Sequence, residues 1–242
     1  MKNLVLFVLL MSSVCTQASV VGELSRMPVS DTTSAAFRMI GQIENFCTGT
    51  MISPRLVLTA AHCVYDQGAK SWMPVTKFTP ARSEGYEPYG SANVEMIHVP
   101  QTYLQGDDTQ DIAILVLKEP IGLKTGWLKI GWDLQGFVSH TSILGGYKAA
   151  GTITGYPGDK SQGSMWIAAC DFYVPNVLPL LPQYSCDTFG GMSGSAIIVA
   201  GPQGESLIVG VHTKGHQVFN SGVLLTRGNK EFLQQVMAAY PL

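Results

Sequence analysis

The stretch Cys47–Val64, with the sequence CTGTMISPRLVLTAAHCV, joins a β-type apolar run to two residue types that carry chemistry. The run RLVLTAA (55–61) predicts a buried strand, and His62 and Cys63 follow it directly. A disulfide at Cys63 would pin the neighbouring imidazole. His62 is therefore the first of the five histidines to consider as a general base.

Short β-rich runs continue along the chain and are separated by Gly, Pro, Asn and Asp. They predict strands at 37–43, 93–99, 111–117, 164–174, 195–200, 206–213 and 222–227. Regular short strands with turn residues between them indicate an all-β barrel or sandwich. Helical spacing appears only at 229–240, where we expect a helix that packs as a lid, with Asn229 as its candidate cap.

The composition suits one or two compact domains with a sizeable core. Of the 242 residues, 46% are hydrophobic and 13% are charged, and the formal net charge is -2. No linker divides the chain at its middle. Because no basic stripe or block of like charge is present, nucleic acid is not an expected partner.

The N-terminus has the pattern of a secretory signal peptide over residues 1–18. Lys2 supplies the positive charge, Leu4–Met11 is a short apolar core, and Thr16–Ala18 offers a cleavage site before Ser19. A membrane anchor is the alternative, but spanning a bilayer takes about 20 apolar residues. We therefore expect a secreted protein, extracellular or periplasmic, without stable membrane insertion.

The predicted mature chain keeps four cysteines, which are Cys47, Cys63, Cys170 and Cys186. An even number in an exported chain indicates two disulfides, with three possible connectivities. Pairing of neighbours along the chain is favoured, giving Cys47–Cys63 and Cys170–Cys186. Zinc is the other use of such residues, but no C-x-x-C pair exists, so we expect neither a metal nor a cofactor.

A serine on a glycine-rich turn is the candidate nucleophile. Ser193 lies in GGMSGS (190–195), where flanking glycines allow the hydroxyl and nearby N–H groups to face one cavity. The N–H groups of Gly191 and Ser193 are then the candidate oxyanion donors. Taken alone, the motif also fits an ordinary glycine-rich turn.

Nucleophilic hydrolysis by serine requires a base that a carboxylate orients. Asp111 opens the apolar run DIAILVL and is placed to be buried against an imidazole. Asp107 and Asp108 lie in the polar loop QGDDTQ and are interpreted as solvated charges. The chain order histidine, aspartate, serine is that of chymotrypsin-type enzymes and differs from the order in α/β-hydrolases.

These motifs together make the chain similar to a known family. CTGTMISPRLVLTAAHCV, DIAIL and GGMSGS resemble the chymotrypsin-like serine proteases. SVVGELSRMPVSDTT (19–33), YEPYGS (86–91), TGYPGDKSQGSMW (154–166), CDTFGGMSGS (186–195) and GVHTKG (210–215) resemble their bacterial glutamyl endopeptidase branch.

The resemblance implies a protease domain over 19–242. It would consist of two antiparallel six-stranded β-barrels that divide near 120–135, with the active site in the cleft between them. It implies His62 as general base, Asp111 as its orienting carboxylate and Ser193 as nucleophile. Hydrolysis would pass through an acyl-enzyme and require no metal.

Two features bear on the bond that is cut. By count, Asp187 has the position at which trypsin-like enzymes hold the carboxylate for Lys or Arg, whereas Met192 replaces the aspartate of trypsin-like zymogens. The branch resembled here implies that Thr188, His212 and the amine of Ser19 bind an acidic side chain. A buried substrate carboxylate must be hydrogen-bonded or paired, so Asp187 would have to point away.

The leading hypothesis is a secreted, monomeric serine endopeptidase that acts on proteins or peptides after Glu, with Asp as the second candidate. A trypsin-like enzyme using Asp187 for Lys or Arg is the alternative. A non-catalytic binding protein on a protease fold is the third. Because the predicted signal cleavage falls directly before Ser19, signal peptidase alone is expected to create the functional amine.

Overall fold

The computed structural model describes residues 26–132, 139–140, 147–174, 182–216, 219–225 and 227–241. The predicted signal peptide and Ser19 lie outside these ranges. Within them, no helix is both long and apolar enough to cross a membrane.

Most of the described regular structure is β. The strands of the first half are β1 (Met27–Pro28), β2 (Ile40–Ile43), β3 (Cys47–Met51), β4 (Leu56–Thr59), β5 (Tyr65–Asp66), β6 (Ser71–Trp72), β7 (Lys77–Pro80), β8 (Ala92–His98) and β9 (Ala113–Leu117). Those of the second half are β10 (Lys129–Ile130), β11 (Ser139–His140), β12 (Tyr147–Gly155), β13 (Trp166–Val174), β14 (Gln183–Tyr184), β15 (Ala196–Ala200), β16 (Ser206–Lys214) and β17 (Asn220–Leu224). The α-helices are α1 (Gln101–Leu104), α2 (Gly122–Thr125) and α3 (Arg227–Ala239), and short 3-10 helices cover Ala61–Cys63 and Asp108–Gln110.

The first barrel closes in the order β2, β3, β4, β9, β8, β7, with every pair antiparallel. Every residue of β4 and β9 is buried. Their sequences, LVLT and AILVL, agree with this, because strands covered on both faces lose the alternation of polar and apolar residues.

The second barrel closes through β12, β13, β14, β17, β16 and β15, and β15 pairs back with β12. Strands β1, β10 and β11 extend the same sheet outside this circuit, with β10 parallel to β16. The described residues therefore form two six-stranded antiparallel barrels, which confirms the predicted fold class.

Helix α3 packs on the larger apolar core, which contains residues of both barrels. Leu233 and Val236 are buried in that core, as a packing role predicts. The predicted cap was wrong. The helix begins at Arg227, so Asn229 lies inside it, and its Nδ2 donates to the carbonyl of Leu224 at 2.7 Å instead of capping a free N–H.

Two disulfides stabilise the barrels. One joins Cys47 to Cys63, and the other joins Cys170 to Cys186, which is the favoured pairing of neighbours along the chain. The first bond connects strand β3 to the short 3-10 helix that carries His62. The imidazole therefore sits next to a covalent anchor.

Candidate active site

His62 is held by Asp111 through two separate hydrogen bonds. Its backbone N–H donates to Oδ1 at 2.9 Å, and its Nδ1 lies 2.8 Å from Oδ2. Asp111 is buried, while the imidazole is about one-third exposed. A carboxylate at Nδ1 favours the tautomer in which Nε2 is free to accept a proton.

The two neighbouring aspartates do not reach the imidazole. Asp107 accepts from the backbone N–H of Thr109 at 3.0 Å and so stabilises its own loop. Asp108 is exposed and forms an ion pair with Lys214 of β16, a contact that the sequence did not predict. Asp111 is thus the carboxylate that meets His62.

The turn that carries Ser193 requires glycine at position 191. Gly191 has φ of +100°, and a Cβ there would lie 2.3 Å from the carbonyl oxygen of Tyr156. Only glycine tolerates both conditions at low cost. In the described part of the chain, the N–H groups of Gly191 and Ser193 donate to no other backbone group. Both remain available to a substrate oxygen.

Both barrels hold this turn in place. The Thr48 side chain, on β3 of the first barrel, donates to the carbonyl of Gly191 at 2.8 Å, and its backbone N–H donates to the carbonyl of Ser193 at 2.8 Å. From the second barrel, the carbonyl of His212 accepts from Gly194 N–H at 2.9 Å. Residues from both barrels therefore hold the serine in position.

An open cleft of about 670 Å³ brings these groups together. Its lining includes His62, Asp111, Ser193, His212, Tyr103 and Lys214. No hydrogen bond joins Ser193 Oγ to His62 among the described residues. Such contacts commonly tighten only when substrate binds.

His212, on β16, is buried at the edge of this cleft and fixed by Tyr184 of β14. The Tyr184 hydroxyl lies 2.5 Å from His212 Nδ1 and donates to the carbonyl of Ser221 at 2.9 Å. Burial, and secondarily the proximity of His62, lower the pKa of His212 to about 3. The imidazole is therefore neutral in the free protein near pH 7.

Thr188 and Asp187 are both fully buried, but they differ in their partners. Thr188 Oγ1 has no hydrogen-bond partner in the described residues. Asp187 Oδ2 lies 2.9 Å from Arg26 Nε, forming an ion pair whose N–H is not well aligned for a hydrogen bond. Asp187 has thus turned toward Arg26, and neither Asp187 nor Thr188 is among the residues that line the cleft.

Met192 is completely buried in the second barrel core, where it packs with Ile153 and Phe172. The side chain beside the serine is therefore a packing element and offers no charge for an N-terminal amine.

Sequence reasoning missed Arg26 and Tyr184. Arg26 lies within the stretch 19–33 that resembles the branch, but no local pattern marks its role, because it contacts residues far away in the chain. Tyr184 lies in the apolar segment before Cys186, where no pattern marks it.

One group of side chains has the spacing of metal ligands in the described residues: Cys47, His62 and Cys63. The two cysteines form a disulfide with each other, so they supply no thiolate. The imidazole is already engaged with Asp111.

Two antiparallel barrels with a histidine, a buried aspartate and a serine around one cleft have the architecture of the chymotrypsin-like serine proteases. The trypsin family model matches residues 20–169, and the chain belongs to this family.

Among its relatives, a glutamyl endopeptidase of Bacillus licheniformis is 33% identical over 219 residues, covering 86% of this chain and 66% of the relative. An extracellular metalloprotease of Bacillus subtilis is 27% identical with the same coverage. The chain thus spans about two thirds of the length of both. A solved structure of a Glu endopeptidase in complex with MPD matches with a TM-score of 0.78 and 30% identity, covering 91% of this chain and 100% of that one.

Proposed function

We propose that the protein is a secreted serine endopeptidase that cleaves peptide bonds after glutamate. The observation that carries the proposal is the pairing of His62 with Asp111 in the cleft that Ser193 also lines. The similarity to glutamyl endopeptidases supports the choice of substrate.

The proposed reaction begins when Ser193 Oγ attacks the substrate carbonyl carbon and its proton passes to His62 Nε2. Asp111 stabilises the imidazolium that forms, and the N–H groups of Gly191 and Ser193 donate to the oxyanion. His62 then protonates the leaving amine, which leaves the acyl group esterified to Ser193. Water, deprotonated by His62, attacks the ester and restores the free serine.

The proposed glutamate pocket uses groups that can donate hydrogen bonds to a carboxylate or offer it a positive charge. Thr188 Oγ1 is buried without a hydrogen-bond partner among the described residues, and a substrate carboxylate would accept a hydrogen bond from it. His212 lines the cleft and would supply a second donor. The Ser19 amine, in the segment outside the described residues, would add a positive charge.

The trypsin-like alternative relies on Asp187 as a free anion at the base of the pocket. The ion pair between Asp187 and Arg26 counts against it, because that carboxylate already has a buried cation. A protein that binds without cutting is the remaining alternative, and the double hydrogen bond between His62 and Asp111 favours catalysis over it.

A set of matched peptides that differ only in the residue before the cut bond tests the proposal. Peptides with Glu, Asp, Gln, Lys and Arg at that position are compared by kcat/KM, with Ser193→Ala protein as the control for contaminating activity. The kcat/KM for the Glu peptide is expected to exceed that for the Gln peptide by about tenfold or more, because pocket groups that pair with a carboxylate are left without that partner by an amide. Cleavage restricted to Lys or Arg would overturn the glutamate assignment, and no cleavage of any peptide would overturn the enzymatic one.

A further inference from the structure

A cluster of charges, in which Arg26 and Asp187 are buried and Asp159 and Lys160 are about one-quarter exposed, lies next to Thr188 of the proposed glutamate pocket. Arg26 directly precedes β1, and its side chain is only 1% exposed. Its Nη1 and Nη2 each lie 2.8 Å from an oxygen of Asp159, while its Nε faces Asp187 Oδ2 at 2.9 Å. The planar guanidinium thus contacts two carboxylates along different edges, which a lysine ammonium cannot reproduce.

The cluster contains equal numbers of positive and negative charges. Lys160 Nζ lies 3.5 Å from Asp159 Oδ2, so Asp159 and Asp187 are matched by Arg26 and Lys160. Within the described ranges, Arg26 is the only basic side chain paired with Asp187. A buried carboxylate without its cation is strongly unfavourable and would seek another positive group.

Arg26 keeps its charge despite its burial. Burial alone would lower its pKa, but the hydrogen bonds to Asp159 and the ion pair with Asp187 outweigh that effect and raise it. The same contact with Arg26 outweighs the effect of burial on Asp159 and lowers its pKa. Arg26 and Asp159 therefore both remain ionised near neutral pH.

The cluster is connected to the catalytic turn. Asp187 is the direct neighbour of Thr188, one of the proposed ligands of the substrate carboxylate. Gly158, which precedes Asp159, donates its N–H to the carbonyl of Gly190 at 2.7 Å. Asp187 is thus adjacent in sequence to a proposed ligand of the substrate carboxylate, and Asp159 is linked to the catalytic turn through its neighbour Gly158.

We propose that Arg26 is a specificity-determining residue that makes the pocket accept an acidic side chain, by neutralising Asp187 and holding it away from the cleft. The inference rests on the proposed glutamate preference and extends it to a residue that does not touch the substrate. Without Arg26, the unpaired Asp187 would repel a glutamate carboxylate and attract a cation.

The readout is the ratio of kcat/KM for a Glu peptide to that for the matched Gln peptide, which is uncharged and nearly isosteric. Arg26→Gln is expected to lower this ratio by roughly tenfold or more, because a buried anion then faces the substrate anion. Adding Asp187→Asn to that variant removes the anion and is expected to restore the ratio to within about threefold of the wild type. Asp159→Asn, which leaves the pair of Arg26 and Asp187 in place, is the matched control and should not lower the ratio.

The opposite change keeps the test decisive if Arg26→Gln does not fold. Asp187→Asn alone leaves Arg26 with surplus positive charge and is expected to raise the ratio. An equal loss on both peptides in Arg26→Gln without rescue in the double variant, or an unchanged ratio in Asp187→Asn, would overturn the inference. Failure of the glutamate proposal itself would appear separately, as a wild-type protein that does not prefer Glu over Gln.

Discussion

The Tyr184 hydroxyl lies 2.5 Å from His212 Nδ1 while it donates its proton to the carbonyl of Ser221 at 2.9 Å. A carbonyl only accepts, so we assign the tyrosine proton to that bond and the proton of neutral His212 to Nδ1, which then donates to the hydroxyl oxygen. Neutral His212 therefore presents a bare Nε2. To donate from that atom to a glutamate carboxylate, His212 must take up a second proton.

This coupling predicts that glutamate preference falls as pH rises. Burial lowers the pKa of free His212 to about 3, and a bound carboxylate would raise it again. At a pH between these two pKa values, His212 is neutral in the free protein but must be protonated in the complex with a glutamate side chain. The ratio of kcat/KM for Glu to Gln peptides should then fall by up to about tenfold per pH unit. Titration of His62 affects both peptides and cancels in the ratio.

Tyr184→Phe checks the origin of that pH dependence. Without the Tyr184 hydroxyl, no acceptor at that position holds the proton on His212 Nδ1. The neutral form of His212 with its proton on Nε2 then becomes accessible. The ratio should vary less steeply with pH in this variant, while Tyr86→Phe, at an exposed tyrosine, should behave like the wild type. A pH-independent ratio in the wild type would contradict the coupling.

The proposed triad predicts strongly non-additive losses. Ser193→Ala and His62→Ala should each lower kcat by about 10⁶, and the double variant should be little worse, because the two groups act as one unit. Asp111→Asn should cost about 10⁴, since it disturbs the tautomer while keeping the shape. The measurement is single-turnover kinetics on a Glu peptide. Losses that multiply in the double variant would show that the residues do not act together.

The glycine turn predicts a defect that is confined to the chemical step. In Gly191→Ala the new Cβ meets the Tyr156 carbonyl at 2.3 Å, so the peptide must shift and an oxyanion donor is misplaced. We expect kcat to fall by about 10²–10³ with little change in KM. Gly204→Ala is the control, because it also has positive φ but nothing lies within 4 Å of its Cβ. An unaffected kcat in Gly191→Ala would remove Gly191 from the oxyanion site.

The position of the mature N-terminus can be tested directly. N-terminal sequencing of the secreted protein should find Ser19 as the first residue, because the predicted signal cleavage falls directly before it. Moving that amine by one inserted residue should reduce cleavage after Glu more than cleavage after Gln. A natural start several residues from Ser19 would contradict the proposal.

The sequence could predict those parts of the fold that local pattern encodes. Apolar runs gave β4, β9 and β16 with their ends within a few residues, because buried strands need continuous hydrophobic side chains. Strand β3 was missed because CTGTM is short, contains glycine and threonine, and lacks an apolar run. The resemblance, rather than periodicity, supplied the division into two barrels.

The same limit applies to the site. His62 and Asp111 were predictable because each lies at the end of a recognisable strand. The orientation of Asp187 away from the pocket was expected, but its partner was not, since Arg26 lies 161 residues away in sequence. Such contacts depend on how the segment around β1 packs against the second barrel, and no sequence spacing predicts which of its residues meet.

Thr48 binds the serine turn from one barrel, and His212 binds it from the other. A chain with only its first barrel folded has a histidine and an aspartate but no positioned serine. A chain with only its second has the serine without its base. The proposed triad can therefore assemble only when both barrels have folded, and a chain with one folded barrel is expected to be inactive.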